Sequence, residues 1–254
     1  MCYDNHARPP YPPIAGGTAM GEDIVLTAAD GNRFAAYVAH AGDANGAQIL
    51  IYPDVRGLHT FYKELALRFA EVGVTAIAMD YFGRTAGLTA RDDAFEFWPH
   101  VQQIRLAGVF ADARASIAHL RQGAGATRAM FVCGFCMGGS LSLYTGAEDF
   151  GLAGIIPFYS GMSRKLDEQK GTALDVAPRV KVPVLGLFGG ADQGIPPEQV
   201  AALDAALDGA GVQHEIVTYP GAPHSFFDRR ATDFAEASAD AWTRMLGFIK
   251  THSK

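Results

Sequence analysis

Cysteine is scarce in this chain: Cys2, Cys133 and Cys136 are the three found in 254 residues. So small and odd a number is no disulfide framework, and any cysteine that matters should matter as a thiol. Long apolar runs are lacking too. Stretches such as 47–52 fall far short of the roughly 20 residues that cross a bilayer. The N-terminal sequence MCYDNHARPPYPP has no apolar segment of the kind a secretory signal carries. Together these absences lead us to expect a protein of the reducing cytoplasm. Nor is there a basic block. Lys and Arg number 21 against 27 Asp and Glu, a formal net charge of −6, which argues against nucleic-acid and anionic-membrane partners.

What is plentiful is apolar residues, at 49%, and glycine, at 29. The first supports a large core; the second exceeds the usual share of about 7% and predicts many tight strand-to-helix turns. Residues 1–20 are rich in Pro and Gly (Pro9, Pro10, Pro12, Pro13, Gly16, Gly17) and read as an extended arm. Residues 23–27 and 33–39 flank Asp30-Gly31-Asn32, a hairpin turn. Beyond them, short β-branched runs at 48–53, 74–80, 129–134, 152–159, 182–189 and 214–219 alternate with helical patterns. Those patterns cover 60–72, 94–120, 137–147, 197–209 and 232–251. Strands that are apolar throughout are buried on both faces, as in a parallel sheet. The expectation is one α/β domain over 21–254: a mostly parallel, doubly wound sheet with helices on both faces and an N-terminal antiparallel hairpin.

The segment richest in chemistry is Phe131-Val-Cys-Gly-Phe-Cys136-Met-Gly-Gly-Ser. A strand runs into Gly134-Phe135-Cys136-Met137-Gly138, where a helix starts. This is the G-x-nucleophile-x-G elbow with cysteine where serine is commoner. The glycines make room for a strained turn, and the helix N-terminus faces the sulfur, which favours thiolate. Cys133 and Cys136 also form a C-x-x-C, readable as a redox or metal pair. No second cysteine pair completes a zinc site, and redox motifs expose the first cysteine at a helix start. A nucleophile needs a base and an orienting acid, which follow it in this chain order. Asp192 lies in the loop Gly189-Gly190-Ala191-Asp192, past a strand end where open α/β sheets form sites. His224 follows the next strand in Gly221-Ala222-Pro223-His224-Ser225-Phe226.

In these motifs the chain resembles the dienelactone hydrolase (carboxymethylenebutenolidase) family of α/β-hydrolases over roughly 22–252. The carriers are the cysteine elbow G-F-C-M-G-G, the G-G-A-D loop and the G-A-P-H-S-F segment. The resemblance implies Cys136 as nucleophile, His224 as base and Asp192 as orienter, with no cofactor and no metal. It implies a small-molecule ester or lactone as substrate. In the family this is an unsaturated, carboxylate-bearing lactone formed in chloroaromatic degradation. It also points to Tyr52-Pro53-Asp54-Val55-Arg56. The family has a glutamate that hydrogen-bonds the resting thiol where this chain has the shorter Asp54, expected as thiol switch or loop brace. Val55 and Met137 would supply the oxyanion-hole amides. Family members bind the substrate carboxylate with arginines; at the offset after the histidine this chain has Asp228, then Arg229. Arg229, Tyr159 and Trp98 are the substrate-binding candidates. A broad carboxylesterase or thioesterase, and a non-catalytic ligand binder on the same fold, are the rival readings. Either a monomer or a homodimer is compatible with the sequence.

Overall fold

A computed structural model describes residues 7–13 and 19–253. The expected arm therefore falls partly outside the described residues, at 1–6 and 14–18. Its described part, 7–13, has no regular secondary structure. Tyr11 packs against Trp242 at 5.4 Å, and Arg8 pairs with Glu64 at 3.1 Å.

The apolar runs become strands and the turn residues end them. In chain order the strands are β1 (Met20–Thr27), β2 (Arg33–His40), β3 (Ala47–Tyr52), β4 (Thr75–Met79), β5 (Ala129–Phe135), β6 (Gly154–Phe158), β7 (Lys165–Asp167), β8 (Gly171–Thr172), β9 (Val184–Gly189) and β10 (His214–Tyr219). The helices are α1 (Thr60–Glu71), α2 (Gly83–Ala86), α3 (Phe97–Val101), α4 (Leu106–Leu120), α5 (Met137–Gly146), α6 (Ala173–Val176), α7 (Pro197–Gly209) and α8 (Ala235–His252). Eight strands form one sheet in the order β1-β2-β4-β3-β5-β6-β9-β10. β2 runs antiparallel to both neighbours; the other pairings are parallel. Every residue of β3, β4, β6 and β9 is buried, as strands covered by helices on both faces require. The hairpin turn is as expected, with Gly31 at φ 84°.

Parallel pairing brings the carboxyl ends of the central strands to one rim. Tyr52 of β3 sits opposite Gly134 of β5, and Phe135 opposite Phe158 of β6. Cys136, Asp54, Tyr159, Asp192 and His224 all follow strand ends on that rim. Among the described residues no helix is long and apolar enough to cross a membrane.

One expectation needs correction. The helical region 94–120 is two helices, α3 and α4, with Arg105 extended between them at φ −129°, ψ 128°. The buried residues Phe97, Val101, Ile104, Leu106, Val109, Ala113, Ile117 and Leu120 explain the break. The step of two from Ile104 to Leu106 cannot stay on one helical face, where steps are three or four. Residues 162–180, outside the runs named above, hold the two-stranded β7–β8 sheet and α6. Strands of three and two residues are too short to leave an alternating pattern.

Candidate active site

The turn between β5 and α5 is built by exclusion. Cys136 has φ 56° and ψ −115°, outside the regions open to ordinary L-residues. A Cβ on Gly134 would lie 2.0 Å from the Gly138 carbonyl oxygen. One on Gly138 would lie 2.3 Å from the carbonyl oxygens of Tyr52 and Pro53, and one on Gly139 would lie 2.6 Å from that of Phe158. These are backbone atoms, so nothing yields; only glycine fits. The Cys136 amide donates to the Phe158 carbonyl at 3.1 Å, which fixes the turn to β6.

α5 is buried at all ten of its positions. Two of its hydroxyls bond back into the helix, Ser142 to the Gly138 carbonyl at 3.0 Å and Thr145 to that of Leu141 at 2.7 Å, while Ser140 and Tyr144 donate to the Gly161 and Gly171 carbonyls beyond it. A central helix can thus carry polar residues without unmet bonds. Its first turn has amides with no intrahelical acceptor, and the Met137 amide is the first of them. Cys136 is half-buried at this end. Cys133, three residues back inside β5, is fully buried, and burial pushes its thiol far above the usual range. It is a core side chain, which removes the redox reading of the pair. Among the described residues no three His, Cys, Asp or Glu side chains cluster as metal ligands would.

Asp192 and His224 meet across two loops that pack closely. Gly189 permits the approach, since a Cβ there would lie 2.4 Å from the Ala222 carbonyl oxygen. The Ala191 amide donates to that same carbonyl at 2.9 Å. Asp192 is buried; its Oδ1 accepts from the Gly194 amide at 2.9 Å, and its Oδ2 lies 2.5 Å from His224 Nδ1. An ionised carboxylate only accepts, so Nδ1 carries the proton and Nε2 is the basic nitrogen.

Asp54 lies in the loop after β3, 1% exposed. Its Oδ1 accepts from the Arg56 amide at 2.9 Å, its Oδ2 lies 3.6 Å from His59 Nε2, and its own amide donates to the Tyr62 oxygen at 3.0 Å. Tyr81 donates to the Pro53 and Asp54 carbonyls. The loop carrying Val55, itself buried, is therefore clamped from several sides. Sequence reading missed His59, Tyr62 and Tyr81. None belongs to a motif, and only the folding of α1 and β4 beside the loop reveals them.

The substrate-binding candidates part company. Tyr159 is fully buried; its ring lies 4.9 Å from that of His224, and its hydroxyl donates to Asp228 Oδ2 at 3.0 Å. Burial, with Asp228 and Cys136 close by, pushes its hydroxyl well above the ordinary range. The Arg229 amide donates to Asp228 Oδ1. Trp98 projects from α3 with 56% of its surface exposed and lies tilted against the Phe97 ring at 5.1 Å.

A thiol on a strained elbow, a histidine on a buried carboxylate and a clamped loop beside them define an α/β-hydrolase, and known structures agree. A candidate dienelactone hydrolase from Klebsiella pneumoniae superposes with a TM-score of 0.80 at 26% identity, covering 92% of this chain and 99% of its own. A candidate carboxymethylenebutenolidase of Yersinia pestis is 28% identical over 93% of this chain and 90% of its own. The carboxymethylenebutenolidase of Pseudomonas putida is 25% identical over 91% and 96%. The sequence profile of the dienelactone hydrolase family matches residues 34–253. The chain belongs to that family and is a carboxylic-ester hydrolase.

Proposed function

We propose that the chain hydrolyses a small ester or lactone through a Cys136–His224–Asp192 triad and a thioester acyl-enzyme. The observation that carries this reading is the 2.5 Å contact between Asp192 and His224 on the rim where Cys136 heads α5. Asp192 holds the imidazole in one tautomer and offsets the charge it gains. His224 Nε2 takes the thiol proton, and the sulfur attacks the carbonyl carbon. The resulting oxyanion is met by the Val55 and Met137 amides, each donor contributing about 3 kcal/mol in comparable sites. Collapse breaks the ester C–O bond, and the leaving alkoxide takes the proton from His224. In a lactone that alkoxide stays tethered to the acyl group. Water, giving a proton to Nε2, then attacks the thioester; the acid leaves and the thiol re-forms. A cysteine nucleophile of this kind suits a reduced, cytoplasmic setting, and residues 21–254 serve as one catalytic domain.

A broader esterase is favoured by one observation. At the offset where the family places a carboxylate-binding arginine stands Asp228, buried and accepting from Tyr159. Such a group offers nothing to an anionic substrate. Assaying p-nitrophenyl acetate beside a carboxylate-bearing dienelactone separates the readings. Turnover of both lost in Cys136→Ala supports the triad; a dienelactone kcat/KM far above that for the acetate rejects the broad esterase. No turnover of either by the native protein rejects both readings.

A further inference from the structure

Among the described residues three non-glycine positions have positive φ: Cys136 at 56°, Ser225 at 61° and Tyr159 at 31°. Such backbone costs about 1–3 kcal/mol and persists only where its surroundings impose it, typically at functional sites. The first two follow from the elbow and from the turn that presents His224. Tyr159 is a bulky residue with no such motif, yet it stands between the parts of the triad. Its amide donates at 2.8 Å to the Leu187 carbonyl of β9, the strand leading to Asp192. The carbonyl just before it, that of Phe158, accepts from the Cys136 amide at 3.1 Å. Its ring rests against His224 with the planes at 57°. Its hydroxyl reaches Asp228, four residues past His224 on the same loop.

We infer that Tyr159 and Asp228 form a positioning pair that sets the tilt of the His224 imidazole; the inference rests on the triad reading above. The Asp192 bond holds the imidazole at one nitrogen, and a ring held at one atom still tips about that bond. The Tyr159 ring, packed against it at 4.9 Å, blocks the tipping. The ring is in turn pinned at its far end by Asp228, so the histidine loop closes on its own support. Burial and the neighbouring acids keep the Tyr159 hydroxyl protonated, so it remains a donor across the working range of pH. A group buried completely meets the histidine, not the substrate. Misplacement of a catalytic group by about 1 Å can cost about 10²-fold in rate, so so small a support can matter.

The test compares Tyr159→Phe, Asp228→Asn, Asp228→Ala and the double variant Tyr159→Phe/Asp228→Ala with the native chain. The readouts are kcat and KM for p-nitrophenyl acetate and the pH profile of Cys136 alkylation by iodoacetamide. Tyr159→Phe and Asp228→Ala should each lower kcat about tenfold with KM within twofold of native. The double variant should be no worse than the poorer single one, as partners in one bond require. Asp228→Asn, whose amide can still meet the Tyr159 oxygen, should keep a third or more of the native kcat. The alkylation profile of Tyr159→Phe should shift, because thiolate formation depends on the imidazole. If Asp228→Ala does not fold, Tyr159→Phe and Asp228→Asn decide. A Tyr159→Phe enzyme with native kcat and profile overturns the pair, as does a rise in KM alone, which would mean substrate contact. His224→Ala serves as the control: if it stays active the triad itself is wrong, whereas an inactive His224→Ala beside a native-like Tyr159→Phe rejects only the pair.

Discussion

Two buried aspartates stand at strand ends on the same rim, and their partners differ. Asp80, directly after β4, is fully buried and held bidentately by Arg91, at 2.7 Å from Oδ2 and 3.2 Å from Oδ1. Burial still pushes its carboxyl above the usual range, against the pull of Arg91. It also accepts from the Leu58 amide at 3.4 Å, and a Cβ on Gly57 would lie 2.5 Å from its Oδ1. Asp192, after β9, has His224 instead. A guanidinium keeps its proton at any working pH, while an imidazole gives it up near neutrality. The first pair can only hold structure. The second can also support proton transfer. Burial of an acid therefore marks nothing by itself; the partner's ability to titrate decides.

Substitutions should separate the two regions by which quantity they move. The largest effects belong to the histidine side. Cys136→Ala should abolish turnover, and His224→Ala should lower kcat about 10³-fold or more, roughly 4 kcal/mol of barrier, with melting temperature near native. Steady-state kinetics beside calorimetry checks both. A His224→Ala enzyme keeping a tenth of its activity would assign the base elsewhere. Asp80→Ala should do the reverse, costing about 3–5 kcal/mol of stability by stranding a buried Arg91, read as a lowered denaturation midpoint. Any loss of kcat there should be smaller than in His224→Ala.

Next in size is Asp192→Asn, which keeps the shape and loses the charge. Its kcat should fall at least about tenfold less than that of His224→Ala, with KM and melting temperature unchanged. If Asp192→Asn instead melts early while kcat holds, it resembles Asp80 and the comparison collapses.

Much of this rim is legible in the sequence because its parts are local. The elbow needs Gly134, Gly138 and Gly139 within a few residues of Cys136, and continuous apolar runs announce the strands that carry Asp192 and His224. What is not legible is lateral. Tyr159 meets His224 because the sheet order sets β6 beside β9 and β9 beside β10, and no spacing along the chain encodes that neighbourhood. An aromatic at a strand end reads as pocket lining; the structure sets the Tyr159 ring, fully buried, against His224. Asp80 and Arg91 escaped notice for the same reason. An ion pair closed by a loop between them leaves no periodic pattern.

Asp54 offers the smallest effect and the sharpest question, because it belongs by position to the loop that carries Val55 and by bonding to the structural class. If its charge acts on the resting thiol, as the family glutamate would, it disfavours thiolate by like-charge repulsion. If it braces the loop, its work is the 2.9 Å bond from the Arg56 amide to Oδ1, which keeps Val55 in place. Two substitutions divide these roles. Asp54→Asn removes the charge but keeps an oxygen for the Arg56 amide; Asp54→Ala removes both. The bonding seen here leads us to expect the brace. Asp54→Asn should then alkylate with iodoacetamide on the native pH profile and keep kcat within about threefold, roughly 0.7 kcal/mol. Asp54→Ala should lower kcat about tenfold, the size of one displaced but not deleted oxyanion donor. Faster alkylation of Asp54→Asn near pH 7, with turnover lost, would instead make Asp54 a regulator of the sulfur. That outcome would move it from the company of Asp80 to that of Asp192.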